Sequence, residues 1–446
     1  SAYQDDDNKE ASKYFDEVSG EEKYKEKLSY FQADMNFKLG KFDKAIQLGQ
    51  AAMNNSNDFE KSELNKIIGE SYFNLKKYNE AIPFLKEYKG KKGKWNNTDY
   101  YQLGYAFYKQ NDFENAITQF NKIIDGKDFV AQNAYYHLGE SYLKTDRKPQ
   151  ALNAFKNASE MTFDLKIQED AALNYARLSY DIGNSYQSVP DVLNAFMTKY
   201  PLNPNKPEIE NLVINSYITS KNYAAALVLL DRNKSFGNKT AYQKVAFYRG
   251  LELFIDGSYK EALPIFKKSI AEQKDAKFSA RATFWKAETE FVLDDFTNAL
   301  VSFKQFLSYP EAKETAEFAT INYNIAYSHF KLKEYEQAGI FFQKYTEVSK
   351  DDKTRLTDAY LRLADSKFVT TKYSEALNAY DKAIALKTVD ADYAAFQKAI
   401  CYGFMGKNDK KISDFNQFLK TYPNSQYRDD ALFELANTYT AENETT

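Results

Sequence analysis

The sequence has one cysteine, Cys401, so no disulfide can form within the chain. Cys401 follows Ala399 in a helical pattern and reads as a buried structural thiol. Histidine is nearly as scarce. His137 and His329 stand far apart, neither has a second His or Cys at ligand spacing, and no G-x-S-x-G surrounds any serine. Each reads as a helix-face residue, which leaves neither a catalytic triad nor a metal site. The acidic run at residues 5–7, DDD, lacks the glycine and terminal glutamate of a calcium loop. Phosphate-cradling G-x-G-x-x-G and G-x-x-x-x-G-K-[ST] motifs are missing too, so the expectation is a non-enzymatic chain without cofactor or metal. Lys plus Arg number 60 against 63 Asp plus Glu, a net charge of −3, which gives no electrostatic reason to expect nucleic acid. The longest apolar run, residues 223–230, is far short of the ~20 residues that cross a bilayer. Breakers are few, with 9 Pro and 16 Gly in 446 residues, while Tyr (36) and Phe (34) abound. Such a chain favours long helices packed by large rings.

What the sequence does contain is a period. Residues 100–120 read YYQLGYAFYKQNDFENAITQF, with apolar positions spaced for two amphipathic helices and a polar Asn111–Asp112 break between them. Either break residue can cap the second helix. Gly104 and Ala116, twelve apart, are expected to face each other and let the two backbones approach. The same pair returns as Ala33/Ala45, Gly69/Ala81, Gly139/Ala151, Gly250/Ala262, Ala287/Ala299, Ala326/Ala338 and Ala364/Ala376. An aromatic stands three residues before the second member in most copies: Phe42, Tyr78, Phe113, Tyr259, Phe296, Tyr335 and Tyr373. A period of 34 to 39 residues marks a stack of hairpins, each burying its apolar face on its neighbours.

These residues resemble the tetratricopeptide repeat family, through LGESY at 138–142, YNEA, YKEA, FKNA at 155–158 and the prolines of TYP and SYP. The resemblance implies an all-α, right-handed α-solenoid of about eleven helix-turn-helix repeats. An N-terminal array over 1–200 has repeats about Ala33, Gly69, Gly104, Gly139 and Ala176. A C-terminal array over 201–446 has repeats about Ile214, Gly250, Ala287, Ala326, Ala364 and Ala399, with a partial one at Ala436. Two copies depart from the pattern. The partner of Ala176 slips to Val189, and Ile214 replaces the small residue opposite Ala226. With the proline-dense YPLNPNKP at 200–207 between them, the stretch 176–214 reads either as a joint or as a long loop in one continuous solenoid. Pro83 and Pro264 lie inside second helices, where a modest kink is expected. Residues 11–18, around Ala11, match half a repeat, and the last helix lacks its partner, so both ends read as stopping mid-repeat.

Within this resemblance, the first helices line a concave groove that holds extended or helical segments of other proteins. Tyr101, Tyr105 and Tyr108 share one face and precede Lys109; Tyr323, Tyr327 and Phe330 do so before Lys331. Tyr136, the pair Phe247 and Phe254, and the pair Phe284 and Phe291 occupy equivalent places. These rings either meet a partner or wedge neighbouring repeats together. The relatives that clamp chaperone-tail carboxylates carry Lys and Asn at two fixed places, where this chain has Lys66/Glu70, Tyr101/Tyr105, Tyr136/Glu140, Asn211/Asn215 and Phe247/Leu251. That mode is disfavoured. The lysine loop KGKKGK at 89–94 reads as a solvated connection. TYPNSQYRDDALFELANTY at 421–439 looks like bacterial envelope tetratricopeptide proteins, such as the Tol–Pal coordinator and β-barrel-assembly lipoproteins. It implies a scaffold in an envelope assembly or secretion complex, in the periplasm or at the outer membrane, although nothing excludes the cytoplasm. The alternative is a periplasmic peptidoglycan binder whose groove aromatics stack on sugar rings.

Overall fold

The computed structural model describes residues 25–123, 125–232, 239–349 and 351–444, with Glu10, Lys13, Tyr14 and Glu17; among them are 23 α-helices and no strand. Residues 5–7 and Ala11, on which the acidic-run and N-terminal half-repeat readings rest, lie outside the described residues. The chain divides into two compact units, Ser1–Ser216 and Tyr217–Thr446. The first consists of the pairs Lys25–Lys38 with Phe42–Ala52, Asp58–Asn74 with Tyr78–Glu87, Asn97–Lys109 with Phe113–Phe120, Phe129–Lys144 with Lys148–Glu160, and Leu165–Ile182 with Val189–Lys199. Helix Lys206–Thr219 runs through the division. The second unit continues with Tyr223–Arg232, then Lys239–Ile255 with Tyr259–Glu272, Ala276–Val292 with Phe296–Ser308, and Ile321–Lys331 with Tyr335–Val348. Lys353–Val369 with Tyr373–Ala385, Ala391–Phe404 with Asn408–Thr421, and the final helix Arg428–Glu444 complete it. Consecutive helices pack on one another from Lys25–Lys38 to Val189–Lys199 and from Tyr223–Arg232 to Arg428–Glu444, and several successive first helices touch as well, as Asn97–Lys109 touches Phe129–Lys144.

The small residue of each first helix has a reason different from the expected one. The nearest atoms to a β-carbon added at Gly104 belong to Phe120, at 2.8 Å, and Gln119, not to Ala116. The same test finds Leu85 at Gly69, Phe155 at Gly139 and Phe266 at Gly250, each sixteen residues after its glycine. A second-helix side chain, Leu85 or a phenylalanine ring, lies against the first-helix backbone, where even a methyl group does not fit without displacement. Sixteen residues after the alanines stand Phe303, Phe342, Tyr380 and Phe415, all buried. Ala116 is buried as well, one turn earlier on the same face.

A second regularity sits seven residues after each small residue, where the backbone turns left-handed. Gly40, Lys76, Asn111, Asp146, Lys221, Gly257, Asp294, Lys333, Thr371 and Gly406 all have φ between 58° and 74° or, at Gly257, 80°. Each closes its helix by the same two bonds: Asn111 N–H to the Tyr108 carbonyl and Asp112 N–H to the Phe107 carbonyl, for example, both at 3.0 Å. Asp112, not Asn111, then caps the second helix through the Asn115 N–H. Across this turn the last ring of the first helix meets the first ring of the second: Phe73 with Tyr78, Phe254 with Tyr259 and Phe330 with Tyr335 are edge-to-face at 5.2 to 5.4 Å. Two repeats are joined to the next by a buried glutamine seven residues before the glycine. Gln132 donates to the Ala158, Met161 and Asp164 carbonyls, and Gln243 accepts from the Lys274 and Asp275 amides.

The irregular copy after Ala176 lacks the tight turn: Gly183 through Ser188 form a longer connection. Val189 only opens the next helix and is half-buried, while Val192, sixteen after Ala176, is buried. Both helices containing an internal proline, Pro83 and Pro264, run on without interruption. At the far end Leu435 is buried with Phe396, Phe415 and Phe418 of the preceding pair, whereas Ala436 and Phe433 are exposed. Burial pushes the Cys401 thiol up to about 12, which keeps it an unreactive core group.

Two stability outcomes follow. Gly139→Leu must displace Phe155 and should cost roughly 1–3 kcal/mol, seen as a lower thermal midpoint, whereas Lys91→Ala, on an exposed loop, should leave the midpoint unchanged. Thr371→Gly should stabilise the protein by up to about 1 kcal/mol and so raise the midpoint, because the left-handed turn costs a β-branched residue more than the entropy glycine adds; an unchanged or lower midpoint would contradict this.

Candidate partner-binding face

Counting from the small residue of each first helix, positions −3, +1 and +4 form the face that the sequence singled out. In the first unit the three tyrosines gather round His137 of the next first helix. Ring centroids lie 6.3 Å away for Tyr101 and 4.9 Å for both Tyr105 and Tyr108. Glu140 accepts from Tyr108 Oη at 3.0 Å and meets His137 Nδ1 at 2.9 Å. Tyr136 donates to Asp170 one repeat further on. Lys109 is exposed, its ammonium 5.1 Å from the Tyr105 ring and 5.6 Å from Tyr108. Burial first, then the neighbouring carboxylates, raises the Tyr108 and Tyr136 phenols well above their ordinary range; burial and the adjacent phenols do so at Tyr101. These hydroxyls are neutral donors, unable to act as bases.

In the second unit Phe247 and Phe284 leave the predicted face altogether. Phe247 is fully covered, with Phe278 against its edge and the Arg281 guanidinium 4.7 Å over its ring. Phe284 packs between Phe303 and Phe306. The stripe there serves the core: the following repeat closes over Phe247, and the second helix of its own hairpin encloses Phe284. Phe254 is half-buried between Tyr259 and Trp285, and Phe291 and Phe330 clamp their own turns against Phe296 and Tyr335. Tyr323 and Tyr327 both donate to Asp358 of the next first helix, and Asp358 also pairs with Arg362 at 3.5 Å. Lys331 is exposed, 5.9 Å from the Phe296 ring.

Carboxylates on this face, of which Glu70 and Glu140 are named above, form a set across repeats. Asp34, Glu70, Glu140, Glu288 and Asp365 each follow a small residue directly, a spacing that was open to view in the sequence. Burial raises the carboxyls of Glu70 and Asp365 and pushes Glu288 up to about 7. Lys66, at the place of a clamp lysine, is bound to Asp99 at 2.8 Å and Glu70 at 3.9 Å, so it is neutralised within the chain. The residues of the 421–439 pattern have packing duties: Ser425 Oγ donates to Asp392 at 2.5 Å, and Tyr427 stacks on Phe396 at 5.4 Å. Among the described residues no group of three or more His, Cys, Asp or Glu is arranged to hold a metal, and no helix is long and apolar enough to cross a membrane.

Tetratricopeptide family models match residues 101–160, 319–352 and 393–425. No curated protein sequence is significantly similar to the chain. Among solved structures it is similar to MamA protein, at 19% identity and a TM-score of 0.36 over 42% of this chain and 94% of that one. It is also similar to Naa15/Naa10 bound to HypK-THB, at 16% identity and a TM-score of 0.38 over 99% of this chain and 65% of that one. For the P58(IPK) TPR domain the values are 14% and 0.25, over 85% and 99%. The hairpins at 101–160, 319–352 and 393–425 are therefore tetratricopeptide repeats, and their turn and small-residue registers recur in the pairs between them.

Proposed function

We propose that this chain is a non-catalytic scaffold that holds segments of partner proteins against its rows of first helices. The observation that carries the reading is the pairing, between successive first helices, of half-buried rings with carboxylates: Tyr108 with Glu140 in the first unit, and Tyr323 and Tyr327 with Asp358, beside Glu288, in the second. Rings supply contact area at small entropic cost, and the carboxylates supply fixed acceptors for a docked segment. Nothing in the row pairs a nucleophile with a base: His137 is engaged by Glu140, and the phenols are held neutral. Tyr101, Tyr105 and Tyr108 are occupied with one another and with His137, which favours protein segments over sugar rings as ligands. The resemblance at residues 421–439 supports siting the scaffold in a bacterial cell-envelope assembly, at the periplasmic side.

Panning a random peptide library against the purified chain tests this. The expected result is a set of enriched peptides whose binding falls about tenfold in Tyr101→Ala with Tyr105→Ala, or in Tyr323→Ala with Tyr327→Ala. A folded chain that enriches no peptide, or peptides indifferent to both double variants, would count against it. Sedimentation with purified peptidoglycan that the first double variant abolishes, with no peptide enriched, would replace it by the glycan reading.

A further inference from the structure

Of the five carboxylates that follow a small residue, four have a cationic or imidazole partner within the chain. Asp34 pairs with Lys38 at 3.1 Å, Glu70 with Lys66 at 3.9 Å, Glu140 with His137 at 2.9 Å and Asp365 with Arg362 at 2.7 Å. Glu288 is the exception: among the described residues no Lys, Arg or His nitrogen comes within ion-pairing distance of it, and its one hydrogen bond comes from the neutral Asn324 amide. Glu288 also faces a cavity of about 220 Å³, lined with it by Phe291, Tyr323, Asn324 and Tyr327. At roughly 30 Å³ per water molecule, that space admits a side chain of several heavy atoms. Buried in the same wall, Asn324 Oδ1 has no donor.

We propose that this cavity receives a cationic side chain, a lysine or arginine carried on a partner segment, with Glu288 as its counter-ion and the Tyr323 and Tyr327 rings as its walls. The proposal rests on the scaffold reading and names what one part of the face selects. An ammonium or guanidinium is the one common side-chain group that offers donors to an acceptor-rich site, restores the missing ion pair and lies favourably against phenol faces. Its aliphatic stem would cover Phe291. Both tyrosine hydroxyls donate to Asp358, whose charge is offset by Arg362 at 3.5 Å, so Glu288 is the carboxylate left to act as counter-ion. The groups facing Glu288 from the neighbouring helices are consistent with this. Arg355, on the next first helix, attracts Glu288 without pairing with it: it is held by Asp352 at 3.0 Å and lies 5.5 Å from the Tyr323 ring, and Lys286 of Glu288's own helix pairs with Glu290 at 2.8 Å. Burial pushes the Glu288 carboxyl up to about 7, with the Asn324 amide and Arg355 pulling the other way. The counter-ion is therefore mostly protonated at pH 6 and mostly ionised at pH 8.

The test is saturation-transfer NMR on the full chain with N-acetyl-lysine methylamide, and the neutral N-acetyl-norleucine methylamide as control. The lysine probe should bind, and bind about tenfold better at pH 8 than at pH 6 as Glu288 ionises. Glu288→Gln, checked for intact helical circular dichroism, should lose the binding and its pH dependence together. Lysine-probe signals equal to the norleucine control, or unchanged in Glu288→Gln, would overturn the proposal. The two readings fail separately. Library peptides indifferent to Glu288→Gln would remove the cation pocket and leave the scaffold, while Glu288-dependent lysine binding without any enriched peptide would do the reverse.

Discussion

A ring laid against a helix backbone is the contact on which the rest of this structure depends. Phe120, Phe155 and Phe266 approach Gly104, Gly139 and Gly250 so closely that a β-carbon would stand 2.6 to 2.9 Å from them. Burying a phenyl ring contributes roughly 1.5–3 kcal/mol, and Phe303, Phe342, Tyr380 and Phe415 are buried in the same clusters as Ala287, Ala326, Ala364 and Ala399. It sets the distance between the two helices of a hairpin. The left-handed turn seven residues on then sets their angle, and the aromatic pair across the turn locks it. Because the two helices close on each other this tightly, the opposite faces of the first helices are left to meet the next repeat and solvent.

That division of labour connects packing to function. Positions that contact the second helix are small or apolar; positions −3, +1 and +4 carry tyrosines and carboxylates that bridge to the next first helix, as Tyr323 and Tyr327 bridge to Asp358 and Tyr108 to Glu140. A bridge made of hydroxyls and carboxylates is directional, so it fixes repeat against repeat while leaving polar groups near the surface. Most of these groups satisfy one another. Where one does not, as at Glu288, the stacking rule leaves a cavity with a definite chemical preference.

The hairpins were legible because periodicity survives substitution: twelve-residue pairs of small residues and aromatics three before the second member need no knowledge of contacts. The ring at +16 has the same period and was equally visible, yet the small residues were read as facing each other, since spacing alone does not say which side chain lies over which backbone. The turns were less legible. Asn111 and Gly257 look like turn residues, but Lys76, Lys333 and Thr371 adopt the same left-handed backbone because the packed helices impose it against local preference. The aromatic stripe separated poorly into face and core. Phe247 and Phe284 share the spacing of Tyr101 and Tyr323, and only Phe278, Arg281, Phe303 and Phe306 from neighbouring helices show that they are enclosed. The carboxylate row went unread because each member is ordinary on its own, and its meaning lies in comparing partners across repeats.

A double-mutant cycle between Gly139→Ala and Phe155→Ala measures the ring-on-backbone contact most directly. If the ring is what excludes a β-carbon, Gly139→Ala should destabilise the protein that keeps Phe155 and be nearly harmless in the background that already carries Phe155→Ala, with a coupling of about 1 kcal/mol. Additive effects, within about 0.5 kcal/mol, would show that the two residues do not constrain each other and would contradict the account.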